Sequence, residues 1–520
     1  MWWRDAVIYH VYVRSFADSN DDGVGDIPGV IAHLDHLEWL GVDGIWLSPV
    51  MPSPNADWGY DVADYCAVDP VLGTLDDFDR LVYEAGRRGI RVLNDLVPNH
   101  TSDQHPWFVD ARTSRDAEHR NWYVWADPAP GGGEPNNWVS NFMGAAWTLD
   151  DSTGQYYLHN FLREQPDLNW WEPKVASSFD EILRFWFDRG VAGFRIDVCH
   201  AIVKDRGLRD NPPASETDDT ITRIRGQRQV YNAHRPELHD VLRRWRTIAR
   251  DYDPERLLVG ETFFGDIELL PSFHGDDDEV HLAFNIAFIF HRFDAGLADV
   301  VDTIERIYPG HSWPCWVGSS HDVSRFATRW CGGDERKIRL ALVMLLTLRG
   351  TPFLYYGDEI GMVDRPFERN EVKDPVGVKF HPAAGRDPER TPMQWTAAQG
   401  AGFTSPRAEP WLPFGDLARA NVEDQRGDRS SVLHLCRDLI ALRRAEGLAT
   451  RPYERLDTPP GVWAYRRGEG CIVALNFSDA HATLPHVDGR IAISPNRDRD
   501  GQPVGGELSL GPWDGAVVES

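Results

Sequence analysis

Cysteine is scarce in this sequence, and its few copies are not arranged in pairs. Six cysteines are scattered over 520 residues, and none of them forms a CxxC motif. This arrangement argues against the usual zinc-binding motifs and does not require a framework of disulfides. We therefore expect the thiols to be reduced.

Long apolar runs and an excess of positive charge are also missing. No run is long enough to cross a membrane, and residues 1–5 lead directly into the first predicted strand without a signal-like segment. The 81 acidic residues outnumber the 54 basic ones, for a net charge of -27. This acidity argues against nucleic acid or an anionic membrane as a partner and suits a neutral substrate. We expect a cytoplasmic enzyme.

Short apolar runs alternate with helical patterns along most of the chain. Eight runs are typical of buried strands, at residues 6–13, 44–48, 90–96, 192–197, 257–260, 282–285, 315–319 and 352–356. Helical periodicity occurs between them, notably at residues 29–40, 74–89 and 334–349. Eight parallel strands with intervening helices predict an α/β fold of the (β/α)8 or TIM-barrel type.

Two segments depart from this alternation. Residues 100–169 are rich in Trp, Asn, Pro and Gly, and they follow the third strand. The tail after a last predicted helix at residues 431–445 has period-two patterns at 461–466 and 471–476. We therefore predict a catalytic barrel of residues 1–99 and 170–445, an inserted domain of residues 100–169, and a small antiparallel β domain of residues 446–520.

Charged and polar side chains stand at the carboxyl ends of four predicted strands. They are His100, Arg195, Asp197, Glu261, His321 and Asp322. A single acid after a strand usually caps the next helix. Several such ends on one face of a barrel coincide with the place where barrel enzymes bind their substrates. The pattern favours a catalytic role for the three acids.

Two of these acids suit the cleavage of a glycosidic bond. That reaction needs a protonated acid at the leaving oxygen and a carboxylate at the anomeric carbon. Arg195 faces the same side of its strand as Asp197, so its charge favours the ionised form of Asp197. Burial and nearby carboxylates would keep Glu261 protonated. Acids on neighbouring strands can face each other at about 5 Å, the separation of a retaining mechanism.

The order and spacing of several motifs resemble the α-amylase superfamily, family 13 of the glycoside hydrolases, and within it the oligo-1,6-glucosidase and α-glucosidase branch. The motifs span residues 18–26, 59–62, 95–100, 165–169, 193–197, 259–262, 321–322, 350–359 and 390–395. The resemblance covers nearly the whole chain. It implies that Asp197 is the nucleophile of a covalent glucosyl-enzyme, that Glu261 is the acid/base, and that Asp322 binds and distorts the sugar.

The resemblance also implies how one glucose is held. His100, Arg195 and His321 would hold the sugar and position the carboxylates. Asp61 and Arg390 would form a pair that grips the non-reducing end, so that the enzyme acts from the end of a chain.

Aromatic residues complete the implied pocket. Tyr60 would stack beneath the glucose, and Phe142 and Phe161 would line the cavity. The sequence departs from the family at Ser320, where an Asn usually precedes the His-Asp pair. We expect this change to alter supporting hydrogen bonds without removing a catalytic group.

Val198 and Gln165 bear on the linkage that is cleaved. In the resembling branch, Val after the nucleophile together with the QPDLN run that begins at Gln165 goes with α-1,6 bonds, whereas Ala or Thr goes with α-1,4 bonds. A branched side chain shapes the subsite of the leaving sugar, an effect of about 1–3 kcal/mol. We favour α-1,6 substrates slightly, and α-1,4 or mixed activity stays open.

Residues 18–26 place an oxygen ligand at every second position. The candidate ligands are Asp18, Asn20, Asp22, the carbonyl of Val24, and Asp26. The spacing is similar to the start of an EF-hand loop, although Gly29 occupies the place of the final Glu. A polar turn is the alternative. The resembling branch carries an ion here, which implies a structural Ca²⁺ or Mg²⁺.

Two classes of alternative are weighed against a hydrolase. A transglucosylase or a sucrose- or trehalose-converting enzyme would share the glucosyl-enzyme and differ in the acceptor. A catalytically inactive partner of a membrane protein would lack an acid and carry a transmembrane segment, and neither is the case here. We expect small α-glucosides as ligands, no organic cofactor, and a monomer or homodimer.

Overall fold

Eight short parallel strands form the central sheet of the computed structural model, which describes residues 1–218, 220–263 and 265–519. In chain order, β1 to β8 are Ile8–Val11, Gly44–Leu47, Arg91–Leu96, Gly193–Ile196, Leu257–Gly260, Leu282–Ala283, Cys315–Val317 and Thr351–Tyr355. They pair in the order β7-β8-β1-β2-β3-β4-β5-β6, and every pair is parallel. The predicted (β/α)8 fold is confirmed as a nearly closed barrel.

Helices connect these strands and form the outer layer. The α-helices are Ile27–Ala32, Leu34–Leu40, Leu75–Arg87, Pro106–Ala111, Pro173–Asp188, Thr220–Arg225, Leu238–Arg250, Ile286–Phe290, Leu297–Ile307, Phe326–Arg329, Glu335–Thr347, Pro375–Lys379, Val422–Gly427 and Val432–Ala445. In the part of the chain that is described, none of them is both long and apolar enough to cross a membrane.

Local hydrogen bonds explain where some predicted elements end. The segment predicted as one helix at residues 29–40 is two helices that meet at His33, whose backbone leaves helical geometry. The first of them begins early because the side chain of Asp26 caps it by accepting from the amide of Gly29. β6 is shorter than predicted because Asn285 already caps the next helix.

The barrel interior is filled by a cluster of its own. Trp46, Leu93, Val259, Leu282 and Phe353 belong to this cluster and are at most 1 % exposed. A larger cluster packs the outer faces of the strands against the helices. Because both faces are covered, the strands are continuous apolar runs, as parallel strands usually are.

Antiparallel sheets lie in the two segments that do not follow the alternation of strand and helix, which are the inserted segment and the carboxyl-terminal tail. Trp125–Ala126, Trp147–Asp150 and Gln155–Leu158 form a three-stranded sheet within residues 100–169. Near the carboxyl terminus, one sheet contains Tyr453–Arg455, Val462–Arg467, Cys471–Asn476, Gly489–Ile493, Pro503–Val504 and Gly515–Glu519, and a second contains Ala482–Pro485 and Glu507–Leu510. The exact domain boundaries stay a prediction, and Ser520 lies outside the described residues.

Candidate active site

The three predicted catalytic acids meet at the carboxyl end of the barrel. Asp197 directly follows β4, Glu261 directly follows β5, and Asp322 lies in the loop after β7. The backbone amide of Glu261 still donates to the carbonyl of Ile196 at 3.0 Å, so the ladder between β4 and β5 fixes the two residues side by side. All three acids line one cavity of about 200 Å³.

The walls of this catalytic pocket include most of the residues expected from the sequence. They are Asp57, Tyr60, His100, Asn141, Phe142, Phe161, Asp197, Val198, His200, Arg225, Glu261, Phe263, Asp322 and Arg386. Five predicted site residues lie behind this surface: Asp61, Gln165, Arg195, His321 and Arg390. Asp57, Asn141, His200, Arg225, Phe263 and Arg386 are lining residues that the sequence did not predict, because no strand end or shared motif singled them out.

Arg195 bridges the two acids proposed for catalysis. One terminal nitrogen of its guanidinium lies 2.7 Å from Asp197, and the other lies 2.7 Å from Glu261. Because both nitrogens belong to one guanidinium, a single side chain holds the two carboxylates. Arg195 is 1 % exposed, so water screens these interactions little.

Asp95 also contacts the guanidinium of Arg195. Its carboxylate lies 3.0 Å from the same Arg195 nitrogen that contacts Asp197. It also accepts hydrogen bonds from the indole of Trp46 at 3.1 Å and from the hydroxyl of Tyr60 at 3.0 Å. Burial raises the pKa of Asp95 to about 7, although Arg195 opposes this shift. Asp95 thus orients Arg195, and with it both reactive carboxylates.

Val198 links the nucleophile candidate to the acid candidate through the backbone. Its amide donates to Glu261 Oε2 at 2.8 Å. The φ angle of Val198 is 35°, in the left-handed region that a β-branched residue rarely adopts. Such strain persists only where the surroundings enforce it, and it is common at active sites. The strained turn aims this amide at Glu261.

The protonation of Asp197 and Glu261 is governed by burial. Burial raises the pKa of Asp197 well above its usual value. The charge of Arg195 opposes this rise, and the charge of Glu261 adds to it. Burial also raises the pKa of Glu261, and Arg195 again opposes the shift while Asp322 supports it. Two coupled acids in this setting titrate as a pair, and their intermediate state carries one proton. That state supplies one acid and one carboxylate.

Asp322 is held in the ionised form by three cationic or potentially cationic neighbours. Burial would raise the pKa of Asp322, but its contacts with His321, Arg386 and Arg390 hold it well below its usual value. The carboxylate lies 3.0 Å from His321, 3.1 Å from Arg386 and 2.9 Å from Arg390. The hydroxyl of Ser320, where the sequence departs from the family pattern, accepts a hydrogen bond from the backbone amide of Asp322 at 3.2 Å.

The predicted pairing of Asp61 with Arg390 is corrected by the structure. Asp61 turns away from the pocket and accepts hydrogen bonds from the Ser53 hydroxyl at 2.7 Å and from the amides of Ala56 and Asp57 at 2.9 Å. Arg390 instead contacts Asp322. Asp61 stabilises its own loop because the loop amides satisfy its buried carboxylate.

Asp57 and Arg386 form the ion pair that lies in the pocket wall. Their side chains approach to 2.5 Å, and Arg386 also lies 2.6 Å from Asp374. Each of these two residues lies four positions before a residue of the predicted pair: Asp57 precedes Asp61, and Arg386 precedes Arg390. Sequence reasoning could not choose between acids four residues apart in a loop, since loop geometry decides which of them faces inward.

A buried polar network supports His100 on the other side of the pocket. Its Nε2 lies 3.0 Å from the side-chain nitrogen of Gln165, which donates to Asp57 at 3.0 Å. Burial lowers the pKa of His100 to about 3, so the ring is neutral. Gln165 therefore reaches the pocket indirectly, by connecting His100 to Asp57.

Lys204 anchors the same network, and it was not among the residues predicted for the site. Its ammonium lies 2.8 Å from Asp167 and contacts Asn99. The amide of Asn99 in turn contacts Asp167 at 3.2 Å and the ring of His100 at 3.0 Å. The charge of Lys204 is thus balanced inside the protein, and it ties the inserted segment to the end of β3.

The candidate metal loop uses its oxygens to hold its own backbone. Side-chain oxygens of Asp18, Asn20 and Asp22 each accept a hydrogen bond from the amide two residues later. Asp26 accepts from Gly29 and Ser19. Oxygen donors suit Ca²⁺ or Mg²⁺. However, no three His, Cys, Asp or Glu side chains converge on a metal position in the described ranges, so no catalytic step is assigned to an ion.

Comparisons with known proteins agree with this geometry. Residues 10–451 match the family described as alpha amylase, catalytic domain. The chain is 41% identical to a probable alpha-glucosidase of Rhizobium meliloti (strain 1021), with 93% of this chain and 90% of that protein covered. It is 37% identical to an oligo-1,6-glucosidase of Parageobacillus thermoglucosidasius, with 100% and 99% covered. The crystal structure of an alpha-glucosyl transfer enzyme superimposes with a TM-score of 0.93 at 38% identity, with 99% of both chains covered.

Proposed function

The chain belongs to the α-amylase family and is a glycoside hydrolase of family 13, and we propose that it is an exo-acting, retaining α-glucosidase that removes terminal glucose from short α-glucosides. The observation that carries this proposal is Arg195, which lies 2.7 Å from both Asp197 and Glu261. One cation between two buried acids supports a nucleophile and an acid/base within reach of the same anomeric carbon.

The proposed reaction proceeds through a covalent intermediate. Asp197 attacks the anomeric carbon while Glu261 gives its proton to the departing glycosidic oxygen. Water then attacks the same carbon, Glu261 takes a proton from it, and the bond to Asp197 breaks. Two inversions release glucose with its original α configuration. The shared guanidinium neutralises whichever of the two acids is ionised at each stage.

The proposed action at chain ends is supported by the ion pair of Asp57 and Arg386. This pair lies in the wall of a catalytic pocket of about 200 Å³, and Arg386 also contacts Asp322 at 3.1 Å. Charge-assisted hydrogen bonds of this kind orient sugar hydroxyls strongly. A pocket closed by such a pair accommodates a single terminal glucose rather than the middle of a chain.

We infer a slight preference for α-1,6 linkages. Val198 lines the catalytic pocket next to Asp197, and its amide holds Glu261. A branched side chain at this position would shape the region through which the leaving sugar departs. Transfer of glucose to another sugar is the second candidate activity, favoured by the likeness to the alpha-glucosyl transfer enzyme. We also propose a cytoplasmic location and a structural Ca²⁺ or Mg²⁺ at residues 18–26.

The purified protein should release glucose from isomaltose, and Asp197→Asn should not. Parallel incubations with maltose, sucrose and trehalose, resolved by chromatography, measure linkage and transfer together. Val198→Ala should lower the ratio of kcat/KM for isomaltose to that for maltose by roughly ten-fold. New oligosaccharides in place of free glucose would overturn the hydrolase proposal, and no turnover of any α-glucoside would overturn the catalytic one.

A further inference from the structure

A tight turn of the inserted segment forms part of the wall of the catalytic pocket. The turn spans residues 140–144, and a hydrogen bond of 2.9 Å between the backbones of its first and last residues closes it. Phe142 belongs to this turn and lines the pocket. The ring of Phe142 meets the ring of Phe161 edge to face, with centroids 5.6 Å apart, and the guanidinium of Arg386 lies 5.2 Å from its centre. The position of the turn therefore decides where this part of the wall stands.

The backbone of the turn is strained, although the turn is attached to the inserted segment at its start. The φ angle of Met143 is 64°, in the left-handed region that residues with a side chain rarely adopt. The hydroxyl of Ser140 donates to the carbonyl of Phe161 at 2.7 Å. The carbonyls of Phe142 and Met143 accept no hydrogen bond from the described residues of the inserted segment. A strained conformation of this kind persists only where the surroundings enforce it.

Lys379 supplies the contact that the turn lacks. Its ammonium lies 3.0 Å from the carbonyl oxygen of Phe142 and 2.7 Å from that of Met143. A lysine ammonium carries three donors, so it can hold two carbonyls at once. Over the ranges that the structure describes, no other group donates to either carbonyl. Lys379 thus ties the inserted segment to a helix that follows β8 in the chain.

The helix that carries Lys379 is itself held by a residue of the pocket wall. This helix, Pro375–Lys379, is capped by Asp374, whose carboxylate lies 2.6 Å from Arg386. Arg386 lines the catalytic pocket and contacts Asp322. A continuous path of contacts therefore runs from Arg386 through Asp374 and the helix to the turn, and it returns to the pocket at Phe142.

We propose that Lys379 is a positioning residue that fixes Phe142 against the glucose in the catalytic pocket. The inference rests on the proposed α-glucosidase activity. Lys379 is not among the described residues that line the pocket, so it acts on the sugar through the turn. A wall that is already in place binds a ligand more tightly than one that must be ordered on binding. Loss of the ammonium should therefore weaken the binding of glucose and leave the chemistry of the two acids unchanged.

Lys379→Met tests this role, because methionine keeps an unbranched apolar side chain and removes the ammonium. The variant should raise the KM for isomaltose and the Ki of glucose as a competitive inhibitor by the same factor, with kcat little changed. The expected factor is about two- to ten-fold, the loss that an ordinary hydrogen bond causes. Lys379→Arg keeps a cation with several donors and should restore part of both constants.

Two further variants separate positioning from other effects of the substitution. Lys373→Met is the matched control, because Lys373 is an exposed lysine on the same loop whose side chain has no hydrogen bond or ion pair in the described part of the chain. It should leave KM and Ki unchanged. In a Phe142→Ala background, Lys379→Met should have no further effect on the Ki of glucose, since the ring that Lys379 positions is gone.

The outcomes distinguish this inference from the proposed function. Equal rises in KM and Ki in Lys379→Met, absent from Lys373→Met and lost in the Phe142→Ala background, support the inference. An unchanged KM and Ki, or an undiminished effect without Phe142, overturns it and leaves the glucosidase proposal standing. If the parent protein hydrolyses no α-glucoside, the glucosidase proposal falls, and calorimetric binding of glucose to the same variants decides the inference. A parent protein that neither hydrolyses α-glucosides nor binds glucose overturns both.

Discussion

Removing the charge of Arg195 should shift the pH dependence of catalysis. Arg195→Gln replaces a guanidinium that lies 2.7 Å from Asp197 and 2.7 Å from Glu261. Hydrogen bonds to charged groups contribute about 1.5–3 kcal/mol each. Losing the contact with Asp197 should therefore raise the pKa of that carboxyl, because its ionised form loses about ten- to hundred-fold of its stabilisation.

The sign of the effect follows from the proposed role of Asp197 as the nucleophile. The nucleophile must be ionised, so a higher pKa moves the acid limb of the kcat/KM profile towards higher pH. Activity should fall most at low pH and recover partly as the pH rises. Profiles of kcat/KM for an aryl α-glucoside, recorded for the parent enzyme and the variant, measure this shift.

Arg443→Gln provides a matched control for lost stability. Arg443 is a buried arginine that donates to the carbonyls of Leu346 and Leu348, away from the catalytic pocket. It should lower stability without moving the acid limb. An unchanged acid limb in a folded Arg195→Gln enzyme would refute the role given to Arg195.

Three further outcomes are expected. Asp57→Asn should raise KM for isomaltose by about ten-fold or more, because it leaves Arg386 with one fewer charged partner in the pocket; steady-state kinetics measure this, and an unchanged KM would contradict the clamp. Lys204→Met should lower the free energy of unfolding by about 3–5 kcal/mol, since it leaves Asp167 buried without its cation; chemical denaturation would reveal it. If residues 18–26 hold an ion, EDTA should lower the Tm of the protein and added Ca²⁺ should restore it. A Tm that changes with neither treatment would reject the metal prediction.

Much of the fold could be predicted from the sequence because the barrel strands are buried on both faces. The run at residues 257–260 coincides with β5, and the other strands differ from prediction mainly at their ends. Those ends depend on side-chain caps such as that of Asn285, which shortens β6. Hydrophobic periodicity detects a buried strand. It does not detect a helix cap, which is a polar side chain that can end the strand one or two residues early.

The positions of the proposed catalytic acids were predictable for the same reason, and those of the residues in the pocket wall were not. Asp197 and Glu261 directly follow strands, and a parallel barrel brings such positions to one face. Asp57 and Arg386 lie in irregular loops, where neither periodicity nor strand position says which side chain points inward. Asp57, and not Asp61, lines the pocket because backbone amides of the loop donate hydrogen bonds to the Asp61 carboxylate and hold it away from the pocket. Such contacts can be seen only in the three-dimensional structure.

The covalent attachment of glucose to Asp197 tests the central proposal most directly. The enzyme can be trapped with 5-fluoro-α-glucosyl fluoride, whose intermediate hydrolyses slowly, and then digested for peptide mass spectrometry. We predict a single fluoroglucosyl adduct on the peptide that contains Asp197, and none in Asp197→Asn. An adduct on another carboxylate, or no adduct while the substrate is consumed, would contradict the proposed mechanism.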